Sequence, residues 1–126
     1  MRLKRSRIEQ FHLKKKIVGK DKEGGTYEEY GAATAFSGEA WPAGGKVQVE
    51  QYGERIAYIY NMKIAGKYIL VRNQDDGKIH YVFPDTGLDV VESDGICLFA
   101  SKEEDPDYKI ISIKPYKPLR LEVERR

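Results

Sequence analysis

A small, mainly β protein folded as one antiparallel barrel is the architecture this sequence predicts. Three observations lead there. Short runs alternate apolar and polar residues, clusters of Gly, Pro, Asn and Asp separate them, and no stretch of ten or more residues keeps a helical period. At 126 residues the chain fits a single domain, 1–126, around one core.

The elements follow in order. Ile8 to Ile17 reads as a strand, with Phe11 and Leu13 out of phase with Ile8, which predicts a bulge. Gly24-Gly25 marks a turn, and a second strand ends at Trp41-Pro42-Ala43. Arg55 to Met62 places Ile56, Tyr58, Tyr60 and Met62 on one face of a strand. Tyr68–Arg72 and Lys78–Phe83 flank Asn73-Gln74-Asp75-Asp76-Gly77, whose Asp-Gly step predicts a hairpin, and Pro84–Gly87 is a turn by composition. The apolar run from Ile96 to Ala100 leads into an acidic turn, Lys102 to Asp107. Strands then follow at Tyr108–Lys114 and Leu119–Glu124, with Leu119, Leu121 and Val123 facing inward.

One interval stands apart. Ala43 to Glu54 is bracketed by Gly44-Gly45 and Gly53, and a connection this long inside a small β domain is usually functional. Its only helical prospect is Lys46–Tyr52, weakened by two β-branched valines.

Composition narrows the function classes. The net charge of +2 conceals an asymmetry. Eight basic side chains against Glu9 give residues 1–20 a charge of +7, leaving −5 on the rest. Such an arm suits phosphate, the acidic body of a neighbouring copy, or a solvated edge strand. No apolar run approaches the ~18–20 residues of a membrane span, and the basic start is not followed by an apolar stretch, so an intracellular protein is expected. The single cysteine, Cys97, excludes an intrachain disulfide and reads as a small buried residue.

No constellation announces chemistry. His12 and His80 lie in separate predicted strands, without the companions of a nucleophile or the spacing of a zinc site. Glu103, Glu104, Asp105 and Asp107 lack the ligand alternation and central glycine of a calcium loop. Gly44-Gly45-Lys46 fails as a phosphate loop, because Ala40 and Val47 stand where Gly and Ser or Thr are required. We therefore expect no catalytic residue, no metal and no cofactor, and a protein that is not an enzyme. The nine tyrosines suit a barrel rim or an interface instead.

The order of a basic first strand, Gly24-Gly25, Trp41-Pro42-Ala43, the Gly-Gly-Lys-Val-Gln-Val-Glu-Gln-Tyr-Gly-Glu-Arg run, a Tyr-rich strand to Asn61-Met62, then Asp94-Gly95-Ile96-Cys97 and Asp105-Pro106-Asp107-Tyr108-Lys109-Ile110 has a counterpart. It resembles the head–tail adaptor, or head-closure (stopper), proteins of tailed phages and prophages of Gram-positive hosts. The resemblance covers most of the chain, although the stretch from Asn73 to Ser93 is longer than in many relatives. It implies a small β-barrel that assembles as a ring between the capsid portal and the tail, with other connector proteins as partners and DNA only passing through. The expected setting is the bacterial cytoplasm during assembly, then the phage particle. It also implies an interface role for Trp41, Pro42, Lys46, Gln48, Glu50, Tyr52 and Arg55. A β-barrel of the OB type that binds nucleic acid is the alternative reading, suggested by the basic arm and the tyrosines.

Overall fold

The computed structural model of the chain describes residues 8–20 and 24–126, with backbone alone at 18–20 and 26–28. Arg2, Lys4, Arg5 and Arg7 of the basic arm lie outside the described residues. The protein is mainly β, built on a closed antiparallel barrel with one short α-helix.

Two three-stranded meanders make the barrel. The first comprises β1 (Glu9–Lys20), β2 (Thr26–Pro42) and β3 (Ile59–Ile64). Closing against it are β7 (Gly95–Cys97), β8 (Tyr108–Lys114) and β9 (Leu119–Arg125). The order around the barrel is β1-β2-β3-β9-β8-β7. Period-2 alternation sends Phe11, Leu13, Phe36, Met62, Ile64, Ile96, Ile110, Leu119, Leu121 and Val123 into one packed interior, which side chains fill as expected for a small barrel.

The connection from β3 to β7 carries a second sheet: β4 (Ile69–Arg72), β5 (Ile79–Phe83) and β6 (Leu88–Val90), paired in that order. The predicted hairpin is present, with Leu70 opposite Tyr81. Tyr81, Phe83, Leu88 and Val90 join the barrel's own core cluster, so this sheet caps the barrel end where β3 finishes and β7 starts. The Tyr68 hydroxyl donates to the Tyr116 carbonyl at 2.7 Å, fixing the cap to the β8–β9 corner. The opposite end carries the start of β1, the β2–β3 connection and the acidic β7–β8 turn.

Two expectations shift in position. The irregularity in β1 falls between Lys14 and Lys16 rather than ahead of Phe11. Beyond it, β1 and β2 continue as a two-stranded ribbon, because β1 meets β7 only over His12–Lys14 and β2 meets β3 only from Gly38. The third strand starts at Ile59 rather than Arg55, since Gly53–Tyr58 forms a 3-10 helix. The alternating Ile56-Ala57-Tyr58 has no neighbouring strand to pair with at that point; the chain is still returning from the helix before it.

Candidate functional site

The interval from Ala43 to Glu54 holds α1 (Lys46–Tyr52) followed by the 3-10 helix. Gly45 at φ 85°, ψ 158° and Gly53 at φ 58°, ψ −130° stand at its two ends, in conformations that only glycine adopts without strain. Seven residues are too few for a helix to persist on propensity alone. Nor is an apolar stripe holding it: Val47 is 76% exposed, Val49 is exposed, and Gln48 is the helix's one buried residue.

Gln48 pins the helix to the barrel wall. Its Nε2 donates to Asn61 Oδ1 (2.6 Å) and to Glu122 Oε2 (2.8 Å), while its Oε1 accepts from Asn61 Nδ2 (3.1 Å) and from the Gly44 amide (3.0 Å). Asn61 on β3 and Glu122 on β9 are direct cross-strand partners, on the face turned away from the core. The helix therefore covers two polar side chains that would otherwise meet water. Glu122 is fully buried. Burial alone would raise its pKa, but the Gln48 bond, the Lys114 charge and the Tyr52 hydroxyl outweigh it and hold the carboxyl below its ordinary range. Its Oε1 makes no well-aligned hydrogen bond and has Lys114 Nζ at 3.4 Å. Tyr52 responds in the opposite sense: burial and the Glu122 charge push its pKa up to about 12.

The residues singled out in the sequence divide by direction. Gln48 and Tyr52 turn inward. Arg55 grips Glu124 in a two-pronged pair (2.8 and 2.9 Å) and lies 5.5 Å from the Tyr52 ring centroid. That pair holds the Glu124 carboxyl below its usual pKa. Pro42, Lys46 and Glu50 are exposed and form an outer ledge with Val47 and Val49. Trp41 sits lower on the same wall, between Lys63 (5.5 Å) and Arg120 (5.7 Å). Lys63 and Arg120 also line a cavity of about 210 Å³ with Tyr116, Lys117 and Pro118.

Sequence reasoning missed a second surface. All four residues of β4 are exposed, with Ile69 at 54%, Leu70 at 57% and Val71 at 42%. Among the described residues β4 is an edge strand, paired with β5 alone. The predicted hairpin was the available signal, but it does not say which of its strands lies at an edge.

Elsewhere, cross-strand register sets His12 opposite Cys97, while His80 lies on the cap sheet. Burial raises the Cys97 pKa, away from the thiolate a nucleophile requires. His80 bridges Asp76 (Nε2, 2.8 Å) and Asp89 (Nδ1, 2.9 Å), and Lys15 of the ribbon reaches Asp89 (3.5 Å) and Asp94 (2.5 Å). This charged chain ties the cap to the ribbon. Among the described residues, no group of His, Cys, Asp and Glu is arranged to hold a metal ion, and no helix is long and apolar enough to cross a membrane. No protein-family model matches the chain, and no curated protein and no solved structure matches it.

Proposed function

We propose that the chain is a structural connector of a phage or prophage particle, a head–tail adaptor or head-closure protein that works by ring assembly and is not an enzyme. The observation that carries this reading is the β4 edge. It is an apolar strand, open on both faces and along its outer side, without the proline or bulge that usually blunts an edge. Such a surface acts by being covered. The phage setting comes from the motif resemblance, which runs from the basic first strand to Ile110 and covers most of the chain.

The fold supports the reading in a second way. The barrel's two ends are unlike: one carries the helical ledge and the acidic turn, the other the cap and the β4 edge. Unlike surfaces at opposite ends are what head-to-tail contacts between copies require. The test is electron microscopy of the purified chain incubated with its portal protein. Rings seated on the portal are expected; a chain that stays monomeric with both portal and tail-completion partners contradicts the proposal.

Trp41 between Lys63 and Arg120, beside the Tyr116–Lys117 cavity, favours one rival, a barrel that binds nucleic acid by stacking. Titration with single- and double-stranded DNA at two salt concentrations separates the readings. The connector reading expects only weak binding that disappears at physiological salt.

A further inference from the structure

We propose that the acidic β7–β8 turn of one copy, with Phe99 beside it, docks into the cationic cavity at the β8–β9 corner of the next copy. The contact rests on the ring-assembly reading and names the two surfaces that meet.

The cavity opens at the cap end of the barrel wall. Lys63, Tyr116, Lys117, Pro118 and Arg120 line its 210 Å³ or so, three cations and no acid. Lys63 has Glu39 across the β2–β3 ladder. Lys117 and Arg120 have no carboxylate partner among the described residues. The Trp41 ring holds Arg120 instead, and its Nε is buried with no acceptor among them. A donor in that position gains by meeting an acceptor brought from outside the chain. Tyr116 adds an exposed aromatic ring to the same lining.

The turn carries the matching groups. Residues 101–105 are all exposed, and Glu103 and Asp105 make no hydrogen bond or ion pair to the described residues. Phe99, just ahead of them, is 71% exposed. The turn is also rigid in advance. The Asp107 carboxylate accepts the Leu98 and Phe99 amides, Glu104 Oε1 accepts the Ser101 amide (3.2 Å), and Lys14 Nζ donates to the Glu104 carbonyl (2.6 Å). The Phe99 ring meets Tyr60 and Tyr108 edge-on. A loop already fixed, with an aromatic side chain in the open, loses little entropy on docking. Contact between Phe99 and Tyr116 adds an attraction that salt does not screen. The acids of the cap compete poorly, because Asp76, Asp89 and Asp94 are engaged by His80 and Lys15.

Position assigns the turn to another copy. It enters β8 at Tyr108, whereas the corner with the cavity follows β8 at Lys114. Seven extended residues hold the two roughly 20 Å apart, at opposite ends of one strand. A turn therefore cannot reach the cavity of its own chain, and every copy offers one of each. The contact is head-to-tail, and it generates a ring where the rotation closes.

The test is sedimentation equilibrium of the full chain and of two charge reversals, Glu103→Lys and Lys117→Glu, at low and high salt. Both side chains are exposed and unpaired, so each variant is expected to keep the parent's circular dichroism. Alone, each reversal sets like charges together at the contact and weakens self-association about tenfold or more. Mixed in equal amounts, the two variants recover most of it. The Glu103→Lys turn then meets the Lys117→Glu cavity, and the unaltered turn meets the unaltered cavity. Phe99→Ala is expected to weaken the parent at high salt as well as low. A mixture that associates no better than either variant alone, or a parent that stays monomeric at low salt and millimolar concentration, would overturn the proposal. Tight binding of single-stranded DNA that Lys117→Glu abolishes would overturn it too, since phosphate would then be the occupant. Portal-bound rings that survive Lys117→Glu would remove this contact while leaving the connector reading standing. A mixture that associates without forming portal-bound rings would support the contact and count against the connector.

Discussion

Glu122 is a fully buried carboxylate on the outer wall of a barrel, and Gln48 is the residue that makes that burial tolerable. Truncating Gln48 to alanine leaves both Asn61 and Glu122 without their shared partner. The expected cost is about 2–3 kcal/mol in urea denaturation, the range for stranding a buried polar or charged group. Because the Glu122 pKa is lower in the fold than its ordinary 4.5, the carboxylate stabilises the fold above that value. That contribution disappears as the pH falls through the depressed value. His80 behaves in the reverse sense. Burial opposes its charge, yet the hydrogen bonds that its ring donates to Asp76 and Asp89 prevail and raise its pKa above 6.5. Its contribution is complete below 6.5 and is lost as the pH rises through the folded value, whereas that of Asp76, whose pKa is lowered from 3.8 by the Lys78 amide and His80, is lost as the pH falls. The clasp of His80 within the cap is therefore tightest between 3.8 and 6.5. An NMR titration of the His80 ring is expected to show a midpoint above 6.5 that drops in Asp89→Asn; an unmoved midpoint counts against the clasp.

At the scale of elements, α1 exists through its ends and one peg rather than through its propensity. Gly53 at φ 58°, ψ −130° is where the helix hands over to the 3-10 turn. Gly53→Ala should cost about 1–3 kcal/mol, and hydrogen exchange should show faster opening confined to residues 44–58. The same logic explains what the residues disclosed in advance. Alternation made the inward face of Leu119–Val123 legible, because a period of two is a local property. It also placed Glu122 correctly on the outer face. What it left hidden was that a helix seventy residues away in sequence covers that face, so Gln48 read as an outward contact when it is an inward anchor. The exposure of β4 was not legible either. Ile69-Leu70-Val71 has a core composition, and only the tertiary arrangement, with β5 and β6 over the barrel mouth and β4 beyond it, leaves the strand uncovered. Likewise, the turn at 102–107 read as solvated acid, yet the Asp107 carboxylate accepts the amides of Leu98 (2.8 Å) and Phe99 (2.9 Å) and clamps the β7–β8 connection.

For the molecule as a whole, one continuous core runs from barrel to cap, so the two ends are held as a single body. Two exposed apolar surfaces are then presented rigidly, the ledge of Val47 and Val49 on the barrel wall and the β4 edge on the cap. A rigid body with unlike poles loses less entropy on assembly than a loop that must order first. Native mass spectrometry of the chain mixed with a phage portal protein tests the connector proposal most directly. The account predicts a complex holding one fixed, closed number of copies of the chain per portal, dispersed by Leu70→Pro. A spectrum showing only free chain and free portal, at concentrations where the portal itself is intact, would contradict it.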